Sequence, residues 1–178
     1  MIVGHVGRFH PQKNHFFILD VFAKLLQKEP EAELWLIGTG ENKEEVEKRA
    51  KQLELSNKVR FWGTRSDVSD LMQAMDVFLF PSLYEGLSVS LVEAQAAGLP
   101  CLISDCIPCE CRLTDLAIPF SLDSGAEEWA DKLCDLRNHE RIGVKKDIIA
   151  AGFDIEKNAM WLQNYYLKRW KESIICQR

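Results

Sequence analysis

Apolar residues along most of the chain alternate between two spacings. Short runs of branched and aromatic residues at Ile2–Val6, Glu33–Ile37, 59–61, Val77–Phe80 and 101–103 are bounded by Gly, Pro, Ser or Asp, and they predict strands. Between them apolar positions recur at helical spacing. Phe16, Leu19, Phe22, Ala23 and Leu26 form one stripe, Val46, Ala50 and Leu53 a second, and Val68, Leu71, Met72 and Met75 a third. Strands that alternate with helices in this way pair in parallel, because a parallel connection needs a crossover of about a dozen residues. The pattern therefore predicts one α/β domain, a Rossmann-like, doubly wound parallel sheet. Residues 106–115 read as irregular and 117–121 as a short last strand. Helices are expected at about 126–137, 141–151 and 155–171.

In such a sheet, with strand order 3-2-1-4-5, ligands bind beyond the carboxyl ends of the strands, where the order reverses between strands 1 and 4. Two loops meet there. One reads Gly7-Arg8-Phe9-His10-Pro11-Gln12-Lys13-Asn14 and the other Pro81-Ser82-Leu83-Tyr84-Glu85-Gly86-Leu87-Ser88. Arg8 and Lys13 fit either a clamp on a diphosphate, a planar fork beside a point charge, or two solvated loop charges. Ser88 is placed to cap the helix that follows, which leaves the amides of Leu87 to Ser90 free to donate to an anion, and Gly86 lets the backbone approach a ligand. Glu93 lies roughly 7 Å further along that helix, within reach of a ribose, or is an ordinary exposed glutamate. Glu85 faces whatever lies beyond the phosphates. His10 is either a phosphate neighbour or a surface residue, whereas His5 and His15 read as structural.

Composition narrows the ligand. With 22 basic and 27 acidic residues the net charge is −5, which disfavours a nucleic-acid surface and makes any phosphate site local. The 178 residues, 47% of them hydrophobic, suffice for one core. No apolar run approaches the roughly 20 residues of a membrane span, and the start lacks signal-peptide order, so a cytoplasmic protein is expected, membrane-peripheral at most. The 6 cysteines read as free thiols, and Cys106, Cys109 and Cys111 lack a nearby histidine to complete a zinc site. No D-x-D triplet is present to hold a cation on a sugar diphosphate, so no metal or other cofactor is expected.

These motifs, in this order, carry a family resemblance. Val6-Gly7-Arg8-Phe9 with Lys13-Asn14, Leu36-Ile37-Gly38-Thr39-Gly40, Val59-Arg60-Phe61-Trp62-Gly63, the Pro81 to Leu87 loop running on to Glu93-Ala94, and Gly98-Leu99-Pro100 together resemble the C-terminal, nucleotide-sugar-binding domain of family-four retaining glycosyltransferases. The bacterial capsular and exopolysaccharide branch is the most similar. The resemblance covers nearly the whole chain and implies one half of a GT-B fold, with Thr39 departing from the Asp common in relatives. It implies that Arg8 and Lys13 bind the donor diphosphate and stabilise the departing nucleotide. Glu85 would hold the transferred sugar, Glu93 the ribose, Gly7 and the amides at Gly86, Leu87 and Ser88 the phosphates, and the backbone at Arg60 and Phe61 the base. The donor would be a UDP- or GDP-linked sugar.

By the same resemblance the chain is expected to be a fragment that lacks an N-terminal acceptor domain and is inactive alone. Residues 155–178 would form a terminal helix packing toward that absent domain, and its apolar face would let the isolated chain form a homodimer. Two other readings remain. A non-catalytic nucleotide- or partner-binding module has the same fold. A nicotinamide-binding domain would need G-x-G-x-x-G after the first strand, where the chain reads Gly4-His5-Val6-Gly7-Arg8-Phe9.

Overall fold

The computed structural model describes residues 1–175, with side chains through 172. The chain divides into two units, Met1–Val144 and Lys145–Arg178. In the first, strands β1 (Ile2–Val6), β2 (Glu33–Ile37), β3 (Val59–Gly63), β4 (Val77–Phe80), β5 (Cys101–Ser104) and β6 (Ala117–Phe120) form a sheet in the order β3-β2-β1-β4-β5-β6, every pair parallel. The predicted order holds, and the short last strand adds on beside β5. β4 and β5 are buried at every position, as unbroken apolar runs covered on both faces require.

One face carries α1 (His15–Lys28), α2 (Lys43–Gln52) and α5 (Gly125–Leu136) over Val3, Leu34, Leu36, Val77, Leu79 and Trp129. The other carries α3 (Val68–Ala74) and α4 (Val89–Ala96) over Phe78, Phe80, Leu91, Cys101 and Ile103. The buried face of α1 is turned relative to the predicted stripe. Ile18, Leu19, Val21, Phe22 and Leu25 are buried, while Phe16 is exposed, because α1 packs against α5 as well as the sheet. α2 is aligned with its own dipole, with Glu44 and Glu45 in the first turn and Arg49 and Lys51 in the last.

The helix expected over 141–151 is shorter. Helix α6 spans only Lys145–Ala150, since Arg141 is committed elsewhere. Its guanidinium donates to the carbonyls of Met72, Met75 and Ala97 at 2.5–2.8 Å, at the ends of α3 and α4. The second unit contains α6 and α7 (Ile155–Ile175), the latter started by Asp154, whose carboxylate accepts from the amides of Glu156 and Lys157. Among the described residues no helix is long and apolar enough to cross a membrane.

Candidate functional site

β1 and β4 run side by side, pairing Val3 with Val77 and Gly4 with Phe78, yet their crossovers leave toward opposite ends of the sheet. The two following loops are stitched together above that gap. Leu83 donates its amide to Gln12 O at 2.8 Å, Gln12 Nε2 donates to Tyr84 O at 2.8 Å, and Asn14 Nδ2 donates to Pro81 O at 3.2 Å. Asn14 also takes the left-handed conformation, φ 58°, that ends the tight turn Pro11–Lys13 and starts α1. Asparagine tolerates that conformation better than most residues. Asn14 belongs to the Lys13-Asn14 motif, whereas Gln12 did not stand out in the sequence as more than a loop residue.

This stitching brings Lys13 and Glu85 together. Lys13 Nζ donates to Glu85 Oε1 at 2.7 Å, and the ammonium lies 4.6 Å from the centroid of the Phe80 ring. Arg8 is not part of that pair. It stands 68% exposed with Glu41 Oε2 3.9 Å away, and His10 Nε2 lies 3.5 Å from the same carboxylate.

A second wall comes from the loop after β2. Gly7 N donates to Ile37 O and Phe9 N to Thr39 O, both at 3.0 Å, while Asn42 N donates to Phe9 O at 3.1 Å. A Cβ at Gly38, whose φ is +138°, would stand 2.1 Å from Gly7 O, and one at Gly40 would stand 2.4 Å from Phe9 O. The close approach of these backbones therefore demands both glycines. Thr39 enters the wall through its carbonyl, so the departure at its side chain leaves this contact intact.

At the start of α4, Ser88 occupies the cap position, but its hydroxyl makes no capping hydrogen bond and lies 3.3 Å from Ser90 Oγ instead. Among the described residues the amides of Leu87, Ser88, Val89 and Ser90 consequently donate to no protein acceptor. A side chain at Gly86 would meet nothing within 4 Å, so the space before these amides is open. The Gly86 carbonyl is held by the Cys111 thiol at 3.1 Å. Cys111 is in turn placed by Gln95, a buried α4 residue that donates to Leu91 O and Cys111 O and accepts from Leu113 N, Thr114 N and Thr114 Oγ1. Glu93 is exposed on α4, beside Ser69 and Gln73 of α3.

Two expected positions lie in the body of β3. Arg60 and Phe61 pair with Trp35 and Leu36 in the body of the sheet, so Arg60 lies three residues, roughly 10 Å, short of the strand's carboxyl end at Gly63. The Arg60 guanidinium is forked onto Glu33 at 2.7 and 3.0 Å and holds that carboxyl down to about 2, and the Phe61 ring packs toward Phe9. The residues of β3 that do reach the carboxyl edge lead into the 63–67 loop, where Arg65 donates to both Asp67 oxygens and lies 5.4 Å from the Trp62 ring.

Below the loops sit two buried histidines. His5 Nδ1 is 2.9 Å from Leu79 O, so it carries the proton, and Nε2 has no partner. His15 stacks on Phe9 at 4.2 Å and meets His5 edge-on at 4.8 Å, with both ring nitrogens unpartnered. Burial pushes His5 well below the ordinary histidine value and, helped by the nearby Lys13 charge, pushes His15 down to about 4. Both are neutral floor residues of the site, in keeping with their structural reading.

The two loops offer a cation, a carboxylate and free helix-end amides at the switch point, which suits an anion bearing a hydroxylated group. Comparison with known proteins agrees with that chemistry. The family model described as "Glycosyl transferases group 1" matches residues 1–148. The Bacillus subtilis (strain 168) protein EpsF, named as a glycosyltransferase, is 39% identical over 170 residues, which cover 93% of this chain and 44% of that protein. An Escherichia coli protein named as a UDP-Gal:alpha-D-GlcNAc-diphosphoundecaprenol alpha-1,3-galactosyltransferase is 24% identical over 170 residues, covering 91% of this chain and 44% of that one. The crystal structure of Anabaena HepE in complex with UDP and glucose superposes with a TM-score of 0.75 at 22% identity, over 94% of this chain and 48% of that one. The chain thus spans a little under half the length of these curated relatives. The family model covers most of the chain, and the chain belongs to the group 1 glycosyltransferases.

Proposed function

We propose that this chain is the donor-binding half of a retaining glycosyltransferase that takes a nucleoside-diphosphate sugar and serves surface-polysaccharide synthesis. The observation that carries this reading is the meeting of Lys13 and Glu85 at the β1/β4 switch point, on the loop that runs into the free amides of Leu87 to Ser90. The diphosphate rests on those amides, with Lys13 and Arg8 on its flanks. Glu85 receives hydroxyls of the sugar, and Glu93 those of the ribose. The base lies against the 63–67 loop rather than against Arg60 and Phe61, because only the loop stands at the carboxyl edge.

Departure of the sugar leaves negative charge on the β-phosphate, and preorganised cations and amides stabilise it without rearranging. The residues named here supply that stabilisation themselves, and no metal ion is assigned to the step. Transfer also needs an acceptor site. The relatives are more than twice this chain's length, and on this reading the stretch matched here binds donor and by itself transfers nothing. UDP is the first nucleotide to test, given the UDP named with HepE and the UDP-Gal named with the galactosyltransferase, and GDP is the second.

Calorimetry tests the reading. Lys13→Ala and Arg8→Ala should each weaken UDP or GDP about tenfold or more, the scale of one lost charge-assisted contact. Unchanged affinity in both variants rejects the cation clamp. Glu93→Gln should weaken UDP more than its 2′-deoxy analogue, and equal losses would remove Glu93 from the ribose. A non-catalytic nucleotide-binding module is the second reading. It is favoured only if nucleotide binds as described and no acceptor-binding partner ever restores transfer.

A further inference from the structure

Lys13, the cation at the switch point, already has its counter-charge. Its ammonium is 2.7 Å from Glu85 Oε1, and the two side chains are only 14% and 7% exposed. Little water reaches either group, so each relies on the other for solvation. The Lys13 stem is fixed as well, running 3.3 Å from where a side chain on Gly7 would begin, and the Phe80 ring lies beside its charged end. Arg8, by contrast, is mostly in water and faces Glu41. The loop's buried cation is thus neutralised before any ligand arrives, and the carboxylate that neutralises it is the one assigned to the sugar.

A diphosphate that draws Lys13 away leaves the Glu85 carboxylate buried, unpaired and next to new negative charge. That is an expensive state for a carboxylate. A sugar attached to the diphosphate relieves it, because hydroxyl groups donate to the oxygens that Lys13 has released. A bare nucleoside diphosphate has no donor to place there. We infer that the Lys13–Glu85 pair is a latch that penalises the sugar-free nucleotide relative to the nucleotide sugar, so that the site resists the product left after transfer. The inference rests on the donor-site reading above.

Its test is the sign of one substitution, measured by calorimetry with UDP and GDP and with UDP-glucose and GDP-mannose. Glu85→Gln frees Lys13 at almost unchanged volume, and it should tighten whichever sugar-free nucleotide the wild type takes by about three- to tenfold. The sugar nucleotides should gain nothing. Glu85→Ala should act in the same direction, which keeps the result independent of how one variant folds. If UDP or GDP binds the wild type but binds these variants equally or less well, the pair merely orients Lys13 and the latch is wrong. Equal tightening of the sugar nucleotides would make the effect simple charge removal and would also overturn it. If none of the four ligands binds the wild type, the donor reading falls and the latch falls with it.

Discussion

His5 and His15 make the floor of the donor loop sensitive to acid. Burial lowers both, His5 well below and His15 to about 4 from the ordinary 6.5. Above pH 6.5 both rings are neutral in folded and unfolded chains alike, so the stability of the fold is undiminished. As pH falls below 6.5 the unfolded chain takes up protons that the folded chain refuses, and stability declines until His15 itself titrates near 4. For His15 alone the loss by that pH is roughly 3 kcal/mol, since each tenfold change in proton affinity is worth about 1.4 kcal/mol. A depressed carboxyl such as Glu33 contributes only below its ordinary 4.5, so the window from 6.5 to 4.5 isolates the histidines. Urea midpoints should fall steadily through that window and fall less steeply in His15→Phe, where His5 alone remains, whereas an unchanged slope in the variant would assign the effect to other groups. The sequence showed why such residues matter one at a time, through charge, spacing and place in a loop. It could not show that Lys13 and Glu85 touch, because their separation of 72 positions is closed only by the stitching through Gln12, Asn14, Pro81 and Tyr84. The place of Arg60 and Phe61 in the body of β3 was hidden for a related reason. Alternation tells which face a strand residue occupies and not how far along the strand the ligand edge lies.

At the level of elements, most boundaries were legible because each strand is bracketed by Gly, Pro, Ser or Asp, and each helix carries a periodic apolar face. The exception is instructive. A helical pattern runs on through 141–151, yet the chain stays irregular until Lys145 because Arg141 reaches sideways to close two other helices. Residue spacing along one segment carries no trace of carbonyls that lie 44 to 69 positions away. The free carbonyls at the ends of α3 and α4 are poor places for apolar contact and good places for a fork of donors. Arg141→Ala should therefore cost about 1 to 2 kcal/mol in chemical denaturation, discounted for the partial exposure of the guanidinium. Arg141→Lys should recover little of that, since one ammonium cannot span both helix ends. Full recovery with lysine would mean that charge at the helix ends, rather than the fork, is what counts. The same closure keeps α4 in place, and α4 carries Glu93, Gln95 and the free amides, so a loosened α4 should also show as weaker nucleotide binding.

For the whole molecule, the second unit carries the widest exposed apolar surface. On α7 the apolar stripe of Ile155, Ala159, Leu162 and Tyr166, widened by Trp161, Tyr165 and Trp170, is exposed at all of these positions, with Met160 and Leu167 alongside. Trp161 and Tyr165 stack on one another at 5.7 Å, and Arg169 lies 5.8 Å from the Tyr165 ring, so part of this surface is satisfied within the helix. An isolated amphipathic helix gains little from such contacts, and an apolar face of this width drives association when concentration allows. For residues 1–178 taken by themselves, a second copy of the chain is the cover at hand. Sedimentation should therefore show a monomer–dimer equilibrium that shifts with concentration, and Trp161→Glu with Leu162→Glu should abolish it without changing nucleotide affinity, because neither residue lies in the donor cleft. A dimer that survives this double substitution uses another surface. A wild-type chain that stays monomeric at high concentration, with α7 amides protected from exchange, would show that the helix needs no partner.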